Sequence, residues 1–138
     1  MSYDENNIFA KILRAEIPCA KVYEDGQTLA FMDIMPQAPG HTLVIPKEPA
    51  ETLLDLSSEA ASDLINKVQV VAKAVQKAMN AEGITIFQLN GASAGQTVPH
   101  IHFHVLPGSL FGTKKHASTM SDPTELAEIA ARIARELD

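Results

Sequence analysis

Three of the five histidines in the chain, His100, His102 and His104, stand two residues apart, with Ile101, Phe103 and Val105 between them. Strict alternation in a run rich in β-branched and aromatic residues predicts a half-buried β-strand across Pro99 to Pro107. Successive side chains of a strand point to opposite faces, so the imidazoles share one face, spaced by about 7 Å, and the apolar set faces a core. A single histidine on a strand is an ordinary residue. Three in register each bring ring nitrogens to satisfy and a charge change near neutral pH, which is awkward to maintain for stability alone. Two chemistries suit such a row. Imidazole is a common zinc ligand. A neutral imidazole nitrogen is also a nucleophile, and neighbouring rings can donate hydrogen bonds to phosphate oxygens.

The elements that must carry this row are legible as periodic segments. Asp4, Asn6 or Asn7 can cap a short helix from about Ile8 to Ala15, with Ile8, Phe9 and Ile12 on its apolar side. Two short strands follow, about Ala20 to Glu24 and Thr28 to Asp33, joined by the hairpin signal Asp25-Gly26. Asp33 at the strand end reads either as a turn residue or as a carboxylate able to accept from both hydroxyls of a ribose. The prolines of Met35-Pro36-Gln37-Ala38-Pro39-Gly40 stiffen a loop that delivers His41 to a third strand, His41 to Pro46. Ser57 or Ser58 opens the longest helix, whose stripe of Leu64, Ile65, Val68, Val71, Ala72, Val75 and Met79 marks it as scaffold, with Gly83 as its expected stop. Ile84 to Asn90 is a fourth strand. The small residues of Gly91 to Thr97 then form either a plain turn or a loop whose backbone N–H groups approach a phosphate. After an unpatterned stretch from Gly108 to Ser121, in which His116 reads as a surface residue, Asp122-Pro123-Thr124-Glu125 is a capping box. It opens an amphipathic helix through Leu126, Ile129, Ala130, Ile133 and Leu137.

The totals bound the answer. A length of 138 residues suits one domain over residues 1–138, with a core of about 8–107 and a helical extension of about 108–138. A net charge of −6 argues against nucleic acid as a partner. Cys19, alone, forms no internal disulfide and suggests a reducing compartment. The acidic, polar start carries no signal peptide and no apolar run reaches membrane-spanning length, so the expectation is a cytoplasmic protein with no membrane partner.

The run His100-Ile-His102-Phe-His104-Val-Leu resembles the signature of the histidine triad family. The resemblance extends, in order, over Ile8-Phe9-Ala-Lys11-Ile12, Glu16-Ile17-Pro18, Phe31 to Pro39, His41 to Lys47, and Asn90 with Gly95-Gln96-Thr97, which look like the Hint branch. Periodicity gives the five strands and the long helix of an α+β fold with short terminal helices; the resemblance implies that the strands form one antiparallel sheet with the long helix packed on it, and a homodimer pairing two sheets. The resemblance also implies an AMP-like purine nucleotide ligand and a purine nucleoside phosphoramidase, with His102 as the nucleophile that becomes nucleotidylated and His104 and His100 in catalytic support. Ile8, Phe9, Ile12, Phe31, Ile34 and Leu43 then surround the nucleoside, Asp33 holds the ribose, and Asn90, Gln96 and Thr97 contact phosphate or sugar beside Gly95. His41 supports the row, through a hydrogen bond to His100. Dinucleoside polyphosphate hydrolysis, or nucleotide binding with incidental hydrolysis, are the alternatives. Some relatives hold zinc through a Cys-x-x-Cys around the first helix. Asn7 and Ala10 occupy those positions here and no carboxylate is evident beside the row, so neither metal nor other cofactor is expected.

Overall fold

The computed structural model describes residues 3–110 and 120–137; His116 lies outside the described residues. Elements run in the order α1 (Ile8–Leu13), β1 (Lys21–Glu24), β2 (Thr28–Met32), β3 (Thr42–Pro46), α2 (Ser58–Ala78), β4 (Ile84–Gln88), a 3₁₀ turn (Ala92–Ala94), β5 (Phe103–Pro107) and α3 (Pro123–Arg135). The strands form one antiparallel sheet, as the resemblance implies, in the order β1-β2-β3-β5-β4.

Both faces of the central strands are covered, so β2 and β3 are buried at every position rather than at alternate ones. One face, with Ala30, Met32, Val44 and Val105, packs under Leu64, Val68, Val71 and Val75 of α2 and Leu126, Ile129 and Ile133 of α3. The other face holds a smaller cluster, Phe9 of α1 with Leu29, Phe31, Leu43 and Ile45. Register places Phe31 opposite Leu43, Leu43 opposite His104, and His104 opposite Phe87. One row of side chains thus crosses four strands and passes from apolar floor to imidazole.

The caps explain the helix boundaries. Asn7 opens α1 by accepting from Ala10 N–H at 2.9 Å, and Ser57 opens α2 by accepting from Ala60 N–H at 3.1 Å. The long helix ends earlier than Gly83 suggests. Asn80 takes the left-handed turn, with φ 51°, a conformation asparagine tolerates because its short polar side chain can bond locally. The Arg132 guanidinium of α3 then donates to the Ala78 carbonyl at 2.9 Å, satisfying one of the acceptors a helix end leaves open.

The strand carrying the histidines is also shorter than its alternation predicts. Only residues from Phe103 onward join the ladder. Pro99 has no N–H to give, His100 N–H turns back to Val98 O at 2.9 Å, and Ile101 N–H bonds Ala50 O at 2.9 Å. The alternation of faces persists through this bend: Ile101 and Val105 are fully buried against α2, and the imidazoles lie on the opposite side.

Candidate active site

Main-chain groups fix the protons of the triad. His100 Nε2 lies 2.8 Å from Pro46 O, and His102 Nδ1 lies 2.7 Å from His100 O. A carbonyl only accepts, so each of those nitrogens carries the hydrogen. His102 Nε2 is left with a lone pair. His41 is decided in the opposite sense. The Gln37 backbone N–H donates to His41 Nδ1 at 3.1 Å, so the His41 hydrogen sits on Nε2 and is given to His104 Nδ1 at 3.0 Å. His104 in turn carries its hydrogen on Nε2. The row therefore combines a ring with a lone pair at Nε2, His102, and a ring with a donor there, His104, at a centroid separation of 4.9 Å. The partner of His41 is His104 and not His100, which corrects the pairing implied by resemblance. The cause is register: β3 runs beside the β5 ladder at His104, whereas His100 lies beyond the ladder, against Pro46.

Burial keeps these rings neutral. His41 and His100 are pushed down to about 4 and His104 to about 3, in each case chiefly by loss of water. His102 is also lowered by burial, against the opposing bond to the His100 carbonyl. Aromatic rings hold the row sideways. Phe9 meets His102 edge-on at 4.9 Å, and Phe87 stacks on His104 at 4.1 Å with 7° between planes. Phe87, the Pro46 carbonyl and the Gln37 amide escaped the sequence reading. Finding Phe87 requires the β4–β5 register, and main-chain groups carry no side-chain signature.

Asp33 ends β2 beside this row. Its carboxylate accepts from Met35 N–H at 2.9 Å and lies 3.6 Å from His41 Nε2, with its pKa raised by burial. A carboxylate is therefore close to the histidines, contrary to the expectation that none is. Asp33, His41 and His104 bring one ligand atom each within 4.8 Å of one another. The donor set does not fit a cation, because the Gln37 bond leaves the hydrogen on His41 Nε2, the nitrogen that would have to bind. Asn7, at the first of the two cysteine positions, is engaged as the α1 cap.

Of the apolar residues, Phe9, Phe31 and Leu43 are buried in the smaller cluster with Ile12 packed against it, whereas Ile8 and Ile34 are 53% and 49% exposed. The 91–97 loop is braced internally. Gln96 accepts from Gly91 N–H at 2.7 Å and donates to Glu51 O at 2.7 Å and Val98 O at 2.9 Å. Asn90 accepts from Leu53 N–H at 2.9 Å. Gly95 has φ 106°, and a Cβ there would meet Leu89 Cδ1 at 3.3 Å. Thr97 is exposed.

Comparison with known proteins agrees with this geometry. The HIT domain family matches residues 14–110. Protein hit of Bacillus subtilis is 40% identical over 96% of this chain and 95% of its own. The adenosine 5'-monophosphoramidase hnt1 of Schizosaccharomyces pombe is 45% identical over 72% of each chain. The crystal structure of a Hit-like protein from Bartonella henselae superimposes with a TM-score of 0.92, at 50% identity, over 99% of this chain and 100% of that one. A matched family spanning most of the sequence, on a sheet whose β5 and the bend before it carry the three histidines, identifies the chain as a member of the HIT-domain family.

Proposed function

We propose that this protein is a nucleotide hydrolase that works through a nucleotidyl-histidine, with a purine nucleoside phosphoramidate as its substrate class. The observation that carries the reading is the bond from His102 Nδ1–H to the His100 carbonyl, which leaves Nε2 unprotonated and aimed as a nucleophile. In the first step the Nε2 lone pair forms a bond to the α-phosphorus as the bond from phosphorus to the leaving nitrogen breaks. The positive charge gained by the ring is offset by the His100 carbonyl. In the second step water forms the new phosphorus–oxygen bond, the histidine–phosphorus bond breaks, and the nucleoside monophosphate departs. Over the cycle the leaving nitrogen takes up one proton and the water gives one up. His104 Nε2–H is the group at hand to pass it and to stabilise the phosphate oxygens.

The surroundings suit a nucleotide. The exposed Ile8 and Ile34 over the floor of Phe9, Ile12, Phe31 and Leu43 offer an apolar slot for a base. Asp33 is an acceptor for ribose hydroxyls. Thr97 and the backbone around Gly95 serve as donors to phosphate, and Gln96 and Asn90 shape that loop through their internal bonds. The name of the S. pombe relative supports a phosphoramidate over a dinucleotide.

Single-turnover hydrolysis of an adenosine phosphoramidate, with the acid-quenched protein weighed by mass spectrometry, tests the reading. Wild type is expected to gain the mass of a nucleotidyl group, and His102→Ala to gain none and to lose turnover. Equal AMP binding by both proteins with turnover by neither would leave the row as a phosphate-binding surface and end the enzyme reading.

A further inference from the structure

The proton assignment leaves one feature of the triad that the proposed chemistry does not use. His100 is fully buried, and its Nε2–H is spent on Pro46 O, so its Nδ1 is an acceptor that burial obliges to find a donor. The donor is the Tyr3 hydroxyl, 2.5 Å away, with the two rings edge to face at 5.6 Å. Tyr3 precedes every regular element, yet the segment that carries it is tied to α1. Asn7 N–H and its side-chain amide both donate to Asp4 O, at 3.2 and 2.7 Å, Asn6 N–H donates to the Asp4 carboxylate at 2.9 Å, and Arg14 donates to Glu5 O at 2.9 Å.

We propose that Tyr3 is a positioning residue for the nucleophile: by donating to His100 Nδ1 it pins that ring between two elements and so holds the same residue's carbonyl on His102 Nδ1–H. This role rests on the nucleotidyl-transfer reading above. The His100 ring is gripped at both nitrogens, by the amino-terminal segment on one side and by the end of β3 on the other, and cannot turn without breaking one grip. Its carbonyl, two atoms from the ring's attachment point, is what aims His102. Phe9 lies edge-on to both rings, with centroid separations of 6.4 Å to His100 and 4.9 Å to His102, and completes the brace.

Tyr3→Phe keeps the aromatic ring and removes only the hydroxyl. Single-turnover nucleotidylation across pH, AMP affinity and long-range proton–nitrogen spectra of the histidine rings without ligand are measured on the full chain. The groups facing His100 are the Tyr3 hydroxyl, the Pro46 carbonyl, the Phe9 edge and His102. Only the first changes, and it favours the neutral ring. The variant is expected to nucleotidylate about tenfold more slowly with AMP affinity unchanged. The His100 Nδ1 resonance should move, and the acid limb of the rate profile should shift to higher pH. A variant equal to an active wild type in rate and pH profile would overturn the role of Tyr3 while leaving the nucleophile intact. A slower variant with unmoved His100 resonances would overturn it too, as a diffuse structural loss. A wild type that never gains a nucleotidyl group would instead sink the reading on which the role rests.

Discussion

An imidazole shut away from water resists protonation, and this couples the site to the stability of the fold. His41 and His100 titrate near 4 and His104 near 3 when folded, against an ordinary value of 6.5. On acidification the unfolded chain takes up protons that the folded one refuses, so the stability these rings contribute is complete above pH 6.5 and is lost as the pH falls toward 4. Urea denaturation is expected to show at least about 2 kcal/mol less stability at pH 5 than at pH 7, with an unchanged slope. Asp33, whose carboxyl is raised by burial, opposes this at the acid end. Equal midpoints at the two pH values would contradict buried, neutral histidines. At this scale the spacing of His100, His102 and His104 is legible in the sequence because alternation is a local property. Tyr3 is not, being 97 positions from its partner in a polar tail with no pattern of its own. Nor are the Pro46 carbonyl, which any residue could supply in kind, and the Gln37 N–H, which any residue but proline could.

Among the elements, the loop between β2 and β3 has the narrowest tolerance. Gly40 directly precedes His41 with φ 95°, and a Cβ there would lie 2.7 Å from Met79 Cγ at the end of α2. Positive φ is open to glycine and costs other residues about 1–2 kcal/mol before any clash. Gly40→Ala is expected to destabilise the protein by about 2 kcal/mol or more and to lower its melting temperature by several degrees. Unaltered melting would mean that the loop and α2 have room to separate. Strands and helices were legible to within a residue or two wherever a cap or a hairpin signal was present, as at Asn7, Ser57, Asp25 and Asp122. Misreadings fell where tertiary contacts override the pattern. Asn80 rather than Gly83 stops α2, and the bend at Pro99 and His100 holds two of the three histidines outside the ladder although their alternation is that of a strand.

For the molecule as a whole, periodicity counts the strands but does not order them; the resemblance implies that they are antiparallel, and the order β1-β2-β3-β5-β4 is visible only in the fold. That order makes β4 an outer strand, with Ile86 on it 45% exposed. An outer strand presents unpaired main-chain groups and is a template for a second copy. The homodimer implied by the family pattern would join two sheets, and sedimentation is expected to give twice the 14.9 kDa mass of one chain. The mass of a single chain would remove the dimer from the account. Among the described residues no helix is long and apolar enough to cross a membrane.

The bonds that place protons on His100 and His102 end on main-chain carbonyls, and no side-chain substitution deletes a carbonyl. The tautomer of His102, though not its aim, is therefore insulated from drift in the side chains around it. Side chains at Ile8, Ile34 or Thr97, proposed above to face the base and phosphate, can be exchanged without rewriting which nitrogen holds the lone pair. On the proposed function, the chemistry is stored in the chain's path and the selectivity in its decoration, so a lineage could change what it cleaves while keeping how it cleaves.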